Sequence, residues 1–423
     1  MHLAIDLRFY KPEPYGLAVY INGLFTDLIP LLNTQKKYTQ ITLILNSEVQ
    51  NLDLSQTCPW WTTIKTSSIF KVFYSNSKYY SVAEQTNFLS ELKNLEADLV
   101  YFFTFNYPVF YTKPFIYQVF DVTQIKLQEF EKVSLKWKFK VFVMKQILKS
   151  GFKNSKYNIF LGSQSPLDCQ KYLGLNFSKP TQADYKPHKV IWSGLTSMYL
   201  TQNLAVAEKE LLFKENGSNL IFDHHQFSNL SSLKNKLNLT KPYFLFVSVW
   251  KKHKNLERLI QAFSIFQNRN RNKYQLVIAG SPDKNYPEIV DKIKANYQYK
   301  NGNIVLAEKI PNEDLICLHD GADGLLMPSL SEGLGMSLVE AAIRMNPVIC
   351  SDIFIFKEVL GQDGFYFDPA KVESIAKALE NFSKISDNHK KTVQINLYNK
   401  AKQFTWEKVA KDVLEVLMNY SSA

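Results

Sequence analysis

At 423 residues and 46% hydrophobic content, the chain is long enough for two globular domains of about 200 residues, each with a full core. Its net charge of +11 points to an anionic partner, and the four scattered cysteines (Cys58, Cys169, Cys317, Cys350), without a Cys-x-x-Cys, argue against a disulfide framework or zinc ribbon and suit a reducing compartment. The opening residues Met1 to Asp6 lack a signal peptide's apolar segment, and no apolar run approaches the roughly 18 residues of a membrane span.

In chain order, the first strand is predicted over Leu3 to Leu7, followed by a loop with Pro12, Pro14 and Gly16 and a helix from Leu17 to Leu32. Further short apolar strands are predicted at Ile41–Leu45, Asp98–Phe103, Pro114–Phe120, Tyr157–Leu161 and Lys189–Trp192. The polar stretch from Ser228 to Thr240, before Pro242, reads as the approach to an interdomain linker. Tyr243–Ser248 restarts the pattern as a strand, and an amphipathic helix over Asn255–Phe266 aligns Leu256, Leu259, Ile260 and Phe263 on one face. Tyr274–Gly280 is the next strand, and another begins near Asn303. Strands alternating with helices predict two α/β halves with parallel sheets and a cleft between them.

Two junctions carry chemistry. Val247-Ser-Val-Trp-Lys-Lys-His-Lys-Asn-Leu256 runs from strand to helix and places three lysines within four positions. A fixed cation there can stabilise an anionic group without proton transfer. Ser329-Leu-Ser-Glu332-Gly-Leu-Gly-Met-Ser-Leu-Val-Glu340 follows the buried strand Ala322–Pro328 and precedes the strand Pro347–Ser351. Ligands of open α/β sheets bind where such loops leave the carboxyl ends of strands. The helix opening near Gly335 offers unpaired N–H groups and a positive dipole end to a phosphate. Glu332 precedes the helix and Glu340 lies inside it, so the two carboxylates can reach different parts of an extended, hydroxyl-rich ligand.

The second segment resembles the Glu-x7-Glu signature of the retaining glycosyltransferases of family 4, which have the two-Rossmann GT-B fold. The likeness continues through Pro347–Asp352, Phe356-Lys-Glu-Val359 and Gly364–Pro369. It implies that Glu332 bonds the hydroxyls of the donor sugar and Glu340 the ribose of its nucleotide. Gly333, Gly335, Met336, Ser337 and Leu338 would surround the donor. The first junction resembles the family's Arg-Lys-Asn-Leu motif, with His253 at the arginine and Lys254 at the lysine, and Lys254 becomes the expected phosphate cation. Lys251 and Lys252 read better as a solvated loop. His253 adds charge only if its pKa is raised. Ser248 stands where many relatives have glycine, Val249 replaces an arginine, and the base would meet backbone near Lys309 and Ile310.

The first half departs from the family pattern. Gly16-Leu-Ala-Val-Tyr20 keeps Gly16 of the loop Gly-Ile-Gly-Arg-Tyr, but has Ala18 and Val19 for its second glycine and arginine. Phe120 replaces the histidine of a His-Asp pair. Asp121 remains, to orient a hydroxyl or to cap a strand end, the two readings being even. The expected domains are 1–238 (acceptor), 239–404 (nucleotide-sugar) and 405–423, a helix returning to the first domain.

Between Lys126 and Lys156 nine lysines stand against Glu129 and Glu131, among Phe130, Trp137, Phe139, Phe142, Phe152 and Tyr157. This suits an anionic membrane surface slightly better than a solvated helix face. No motif supports nucleic-acid binding. No metal site is predicted: Asp320-Gly-Ala-Asp323 reads as a turn. The leading expectation is a metal-independent, retaining transferase that moves a hexose-type sugar from a UDP- or GDP-sugar co-substrate, with no other cofactor. Its acceptor would be a glycan or lipid-linked molecule of cell-surface polysaccharide, such as lipopolysaccharide, and it would act in the cytoplasm or peripherally on the inner membrane face. Two alternatives stay open: a non-catalytic sugar-nucleotide or glycan-binding relative, and another two-Rossmann enzyme such as an epimerase or phosphorylase.

Overall fold

The computed structural model describes residues 1–12, 16–79, 81–126, 129, 134–177, 187–196, 198–199 and 224–419, with backbone alone at 224–229. Pro14, Phe130 and Glu131 of the predicted features lie outside these residues. The chain divides into two compact units, Met1–Gly194 with Thr405–Ala423, and Leu195–Phe404.

Unit 1 carries strands β1 (His2–Asp6), β2 (Gln40–Asn46), β3 (Phe70–Ser75), β4 (Leu99–Phe102), β5 (Phe115–Val119), β6 (Tyr157–Leu161) and β7 (His188–Ile191). They form one sheet in the order β3-β2-β1-β4-β5-β6-β7, every pairing parallel. Unit 2 carries β8 (Tyr243–Trp250), β9 (Gln275–Pro282), β10 (Ile304–Glu308), β11 (Gly324–Met327), β12 (Val348–Ser351) and β13 (Phe365–Phe367). Its parallel order, β10-β9-β8-β11-β12-β13, is that of a dinucleotide-binding Rossmann sheet. β4, β5, β11 and β12 are buried at every residue, as sheets covered on both faces require.

Two elements depart from expectation. The polar stretch read as a linker approach is largely the helix His224–Lys236, which packs on the helix Asn312–Gly321. Leu233 is buried and Leu230 lies beside Gly321, so the helix belongs to unit 2, and the first division falls at Gly194/Leu195 rather than at 238/239. The helix Gly16–Asn33 is 18 residues long and apolar enough, by composition, to cross a bilayer. Its apolar character has a local cause: Ile21, Leu24, Phe25, Leu28 and Leu32 are buried in unit 1, and the helix packs on Trp406–Asn419.

That last helix is tied to unit 1 along its length. The Trp406 ring meets Tyr20 edge-on at 5.2 Å, Lys189 pairs with Asp412 (2.9 Å) and Glu415 (2.7 Å), and the Tyr38 hydroxyl donates to the Leu417 carbonyl (2.5 Å). Gly23 and Gly194 make room for the indole: a Cβ on Gly23 would lie 2.1 Å from Trp406 Cε2, and one on Gly194 2.6 Å from the same ring. Gly23→Ala is expected to destabilise unit 1 by about 1–3 kcal/mol through overpacking, and Trp406→Leu alongside it to recover part of the loss. Urea denaturation checks this, and a Gly23→Ala protein as stable as wild type would refute it.

Candidate functional site

In unit 2 the strand order reverses between β8 and β11, and the loops leaving these two strands open a crevice at their carboxyl ends. Both chemistry-bearing segments are these loops. After β8 comes a single 3-10 turn, Lys252–Lys254, then the helix Leu256–Arg269. After β11 come Ser329 to Gly335, then the helix Met336–Ile343.

Asn255 fastens the loops together. It adopts a left-handed backbone (φ 59°), and its Nδ2 donates to the carbonyls of Pro328 (3.0 Å) and Pro369 (2.8 Å). Its Oδ1 accepts from Arg258 (2.8 Å), and the Leu330 amide donates to the His253 carbonyl (2.8 Å). So held, Lys254 Nζ reaches Glu332 Oε1 at 2.6 Å, with the two side chains 18% and 10% exposed. The Ser329 hydroxyl donates to the same oxygen at 2.6 Å. Burial alone would raise the Glu332 carboxyl, but the Lys254 charge and the bonds from Lys254 and Ser329 hold it below the ordinary carboxylate range. An ionised carboxylate and a cation are thus paired, half-buried, at the carboxyl ends of these strands.

The other residues of the site fall around this pair. Gly335 caps the helix with φ +66°, a conformation that favours glycine. Gly333, Met336 and Ser337 are half-buried, and the last two, as the first helical residues, carry amides without an intrahelical acceptor. Leu338 is turned into the core and its amide donates to the Gly335 carbonyl (2.9 Å), so neither its side chain nor its N–H faces a ligand. Glu340 is half-buried one turn further on; burial pushes its carboxyl up to about 7, against a hydrogen bond with Tyr199. Tyr199 is itself buried, its ring 6.0 Å from that of His319.

His253 is buried, and burial together with the neighbouring Lys254 lowers its pKa to about 4. The condition for it to add charge, a raised pKa, is therefore not met: the ring stays neutral at neutral pH, and its Nδ1 has no hydrogen-bond partner among the described residues. Lys251 is exposed and Lys252 half-buried, and they face Asp283 and Glu288 only at 3.9 and 4.0 Å. Ser248 is half-buried in β8 opposite Gly280, where a Cβ would sit 1.9 Å from the Ser248 carbonyl oxygen and φ is +116°. Ile310 is half-buried after β10, behind a left-handed Lys309. Asp320 and Asp323 are engaged as ion-pair partners of Arg344 and Lys390.

In unit 1, Gly16 is exposed at the start of its helix, with Val19 also exposed and Ala18 buried. Phe120 packs into an aromatic cluster, 5.1 Å from Tyr20 and 5.8 Å from Phe103. Asp121 is exposed and its Oδ1 accepts from the Thr123 amide (2.8 Å), so it caps the short helix Thr123–Lys126. Sequence reasoning missed Asn255 as the tie between loops, Gly280 and Tyr199. A glycine ending the apolar run Leu276–Ala279 was a usable signal for Gly280; Tyr199 carried none.

Known proteins place this arrangement. The family profile of the glycosyl transferases, group 1, matches residues 229–402. O-antigen chain mannosyltransferase B of Escherichia coli is 29% identical over 166 residues, 39% of this chain and 42% of that protein, so the match spans less than half of the curated relative. Sucrose-phosphate synthase of Thermosynechococcus elongatus superposes with a TM-score of 0.66 at 13% identity, covering 99% of this chain and 98% of that one. HepE of Anabaena, solved in complex with UDP and glucose, gives 0.63 at 15% identity over 99% and 100%. At these identities the structural likeness is one of fold, the two-Rossmann GT-B fold. Over residues 229–402 the second unit of this chain is thus similar to the glycosyl transferases, group 1, and it carries the strand order and switch-point loops of a Rossmann sheet.

Proposed function

We propose that the protein is a retaining glycosyltransferase of the family 4 type, working without a metal. It moves a hexose from a nucleoside diphosphate-sugar to a glycan or lipid-linked acceptor of cell-surface polysaccharide. The observation that carries this reading is the Lys254–Glu332 pair at the carboxyl ends of β8 and β11, next to the Gly335-capped helix. The mannosyltransferase relative supports a hexosyl donor of the mannose kind, and the UDP-bearing neighbour supports a nucleoside diphosphate carrier.

In this reading the donor diphosphate draws Lys254 toward itself and meets the amides of Met336 and Ser337. Glu332, released in part from the lysine, accepts hydrogen bonds from sugar hydroxyls, and Glu340 accepts from the ribose. The bond between anomeric carbon and phosphate oxygen breaks, its electron pair leaving on the diphosphate. The acceptor hydroxyl forms the new bond from the same face and passes its proton to the departing phosphate oxygen. Lys254 stabilises the growing charge without exchanging a proton. The acceptor and the membrane meet unit 1, through the basic stretch 126–156, on the cytoplasmic side.

Phe120 inside an aromatic cluster favours a second reading, a sugar-nucleotide-binding relative without transfer activity. A thermal-shift screen against UDP- and GDP-sugars, with Glu340→Ala as control, followed by assay of donor consumption, separates the two. Stabilisation by one nucleotide class, lost in Glu340→Ala, with sugar released or transferred, is the expected result. Stabilisation without consumption supports the binding relative, recovery of an epimerised sugar nucleotide an epimerase, and no shift with any donor refutes the donor site.

A further inference from the structure

The helix Leu135–Asn154 is apolar on two opposite sides. Val141, Met144, Leu148 and Phe152 face the core of unit 1. On the far side Leu135 (84% exposed), Phe139 (69%), Phe142 (58%) and Val143 (37%) recur at helical spacing and form one outward stripe. The helix carries six lysines and no acidic residue, and on a helical projection Lys136 and Lys140 lie on one side of the stripe and Lys138, Lys145 and Lys149 on the other. A stripe of this kind amid lysines serves a solvated helix poorly, since each exposed phenyl ring leaves apolar area in water.

The stripe continues onto other elements. Phe110 (70% exposed) and Val82 (81%), on separate segments of the chain, line the same groove as Trp137, Phe139, Phe142 and Ile147. The groove has a volume of about 1100 Å³, and Lys136 and Lys140 stand on it. Lys140 lies over the Trp137 ring at 5.2 Å, and the indole Nε1 is withdrawn from solvent without a hydrogen-bond partner among the described residues. A flat surface would account for adsorption of the stripe to headgroups. A groove whose surface is mostly apolar, with Glu84 of its lining already paired with Arg8, calls for an apolar occupant, and Lys136 and Lys140 call for that occupant to end in negative charge.

We propose that this groove seats one hydrocarbon chain of an anionic membrane lipid, while the flanking lysines meet the headgroups and Phe139, Phe142 and Phe110 enter the acyl layer. The inference rests on the membrane contact proposed above and adds a chain-binding site to it. Nucleic acid would use the lysines but has no need of the stripe or the groove.

The test uses the full chain with vesicles of phosphatidylglycerol and phosphatidylcholine whose acyl chains carry bromine, a contact quencher of indole fluorescence. Six tryptophans emit, so Trp137→Phe identifies the component of interest. Mixed anionic vesicles are expected to bind the protein and to quench the component that Trp137→Phe lacks, while phosphatidylcholine alone does neither. Phe139→Ser with Phe142→Ser, both at exposed positions that leave the core intact, is expected to weaken vesicle partitioning by roughly tenfold or more. Binding to anionic vesicles without quenching of Trp137 overturns the chain site and leaves the membrane contact standing. Absence of binding to any vesicle overturns both, and a groove filled instead by a protein partner belongs to that outcome.

Discussion

Lys254→Ala is expected to lower sugar transfer by about 10²–10³-fold, the scale on which removal of one fixed stabiliser of developing charge is felt. The substitution has a second effect because the lysine does not stand alone. Glu332 is 10% exposed and would keep only Ser329 of the two side chains that bond its carboxylate, so the folded state loses the compensation that holds it. Breaking a fully buried pair costs about 3–5 kcal/mol; partial exposure brings the expected loss here to about 2 kcal/mol. Activity is therefore to be scored per folded molecule, with urea denaturation alongside. Lys254→Met combined with Glu332→Gln is expected to recover most of the stability and none of the transfer. A Lys254→Ala protein that retains wild-type kcat would sink the assignment of the lysine to the departing diphosphate.

The second large effect concerns pH. In the folded protein Glu340 keeps its proton up to about 7, against an ordinary value of 4.5. Between these values the folded state binds a proton that the unfolded chain has lost, so stability falls as pH rises through this window, and the full penalty is present above it. Glu340→Gln carries no such charge. The ligand-free variant is therefore expected to melt above wild type at about pH 8, by an amount corresponding to at most about 3 kcal/mol, and to lose this advantage below about pH 4.5. Nucleotide binding should move the other way. Ribose hydroxyls donate to an ionised acceptor, so UDP or GDP should bind wild type more tightly at about pH 8 than at about pH 6, with a flatter profile in the variant. Paired thermal melts at the two pH values, with and without nucleotide, check both statements. A variant less stable than wild type at the higher pH would show that the carboxylate is satisfied when charged.

How far the sequence carried these conclusions differs between fold and site. Most strands were legible because they are short apolar runs bounded by polar residues, as in Leu99–Phe102 and Tyr157–Leu161, which are interior strands of their sheet. β3 escaped notice because it is an edge strand whose residues between Phe70 and Ser75 are only partly buried, and β13 because it is three residues long. The helix His224–Lys236 reads as polar loop because, among its residues 230–236, Leu233 is the one buried hydrophobic side chain.

Lys254, Glu332 and Glu340 were accessible because each sits in a local pattern of strand, turn and helix. Their pairing was not, since 78 positions separate Lys254 from Glu332 and only the reversal of strand order brings β8 and β11 side by side. The neutrality of His253 and the raised pKa of Glu340 belong to burial, which a motif does not encode. The same holds for Asn255, whose two carbonyl partners come from the ends of β11 and β13.

The return of Trp406–Asn419 to unit 1 sets an order of assembly. A ribosome releases residues 195–404 before the helix that fills the space over Gly23 and Gly194 exists. Unit 2 is contiguous and can close its core while the chain is still growing; unit 1, although its strands emerge first, holds an uncovered apolar face until the final helix appears. Unit 1, although begun first, is thus completed after unit 2.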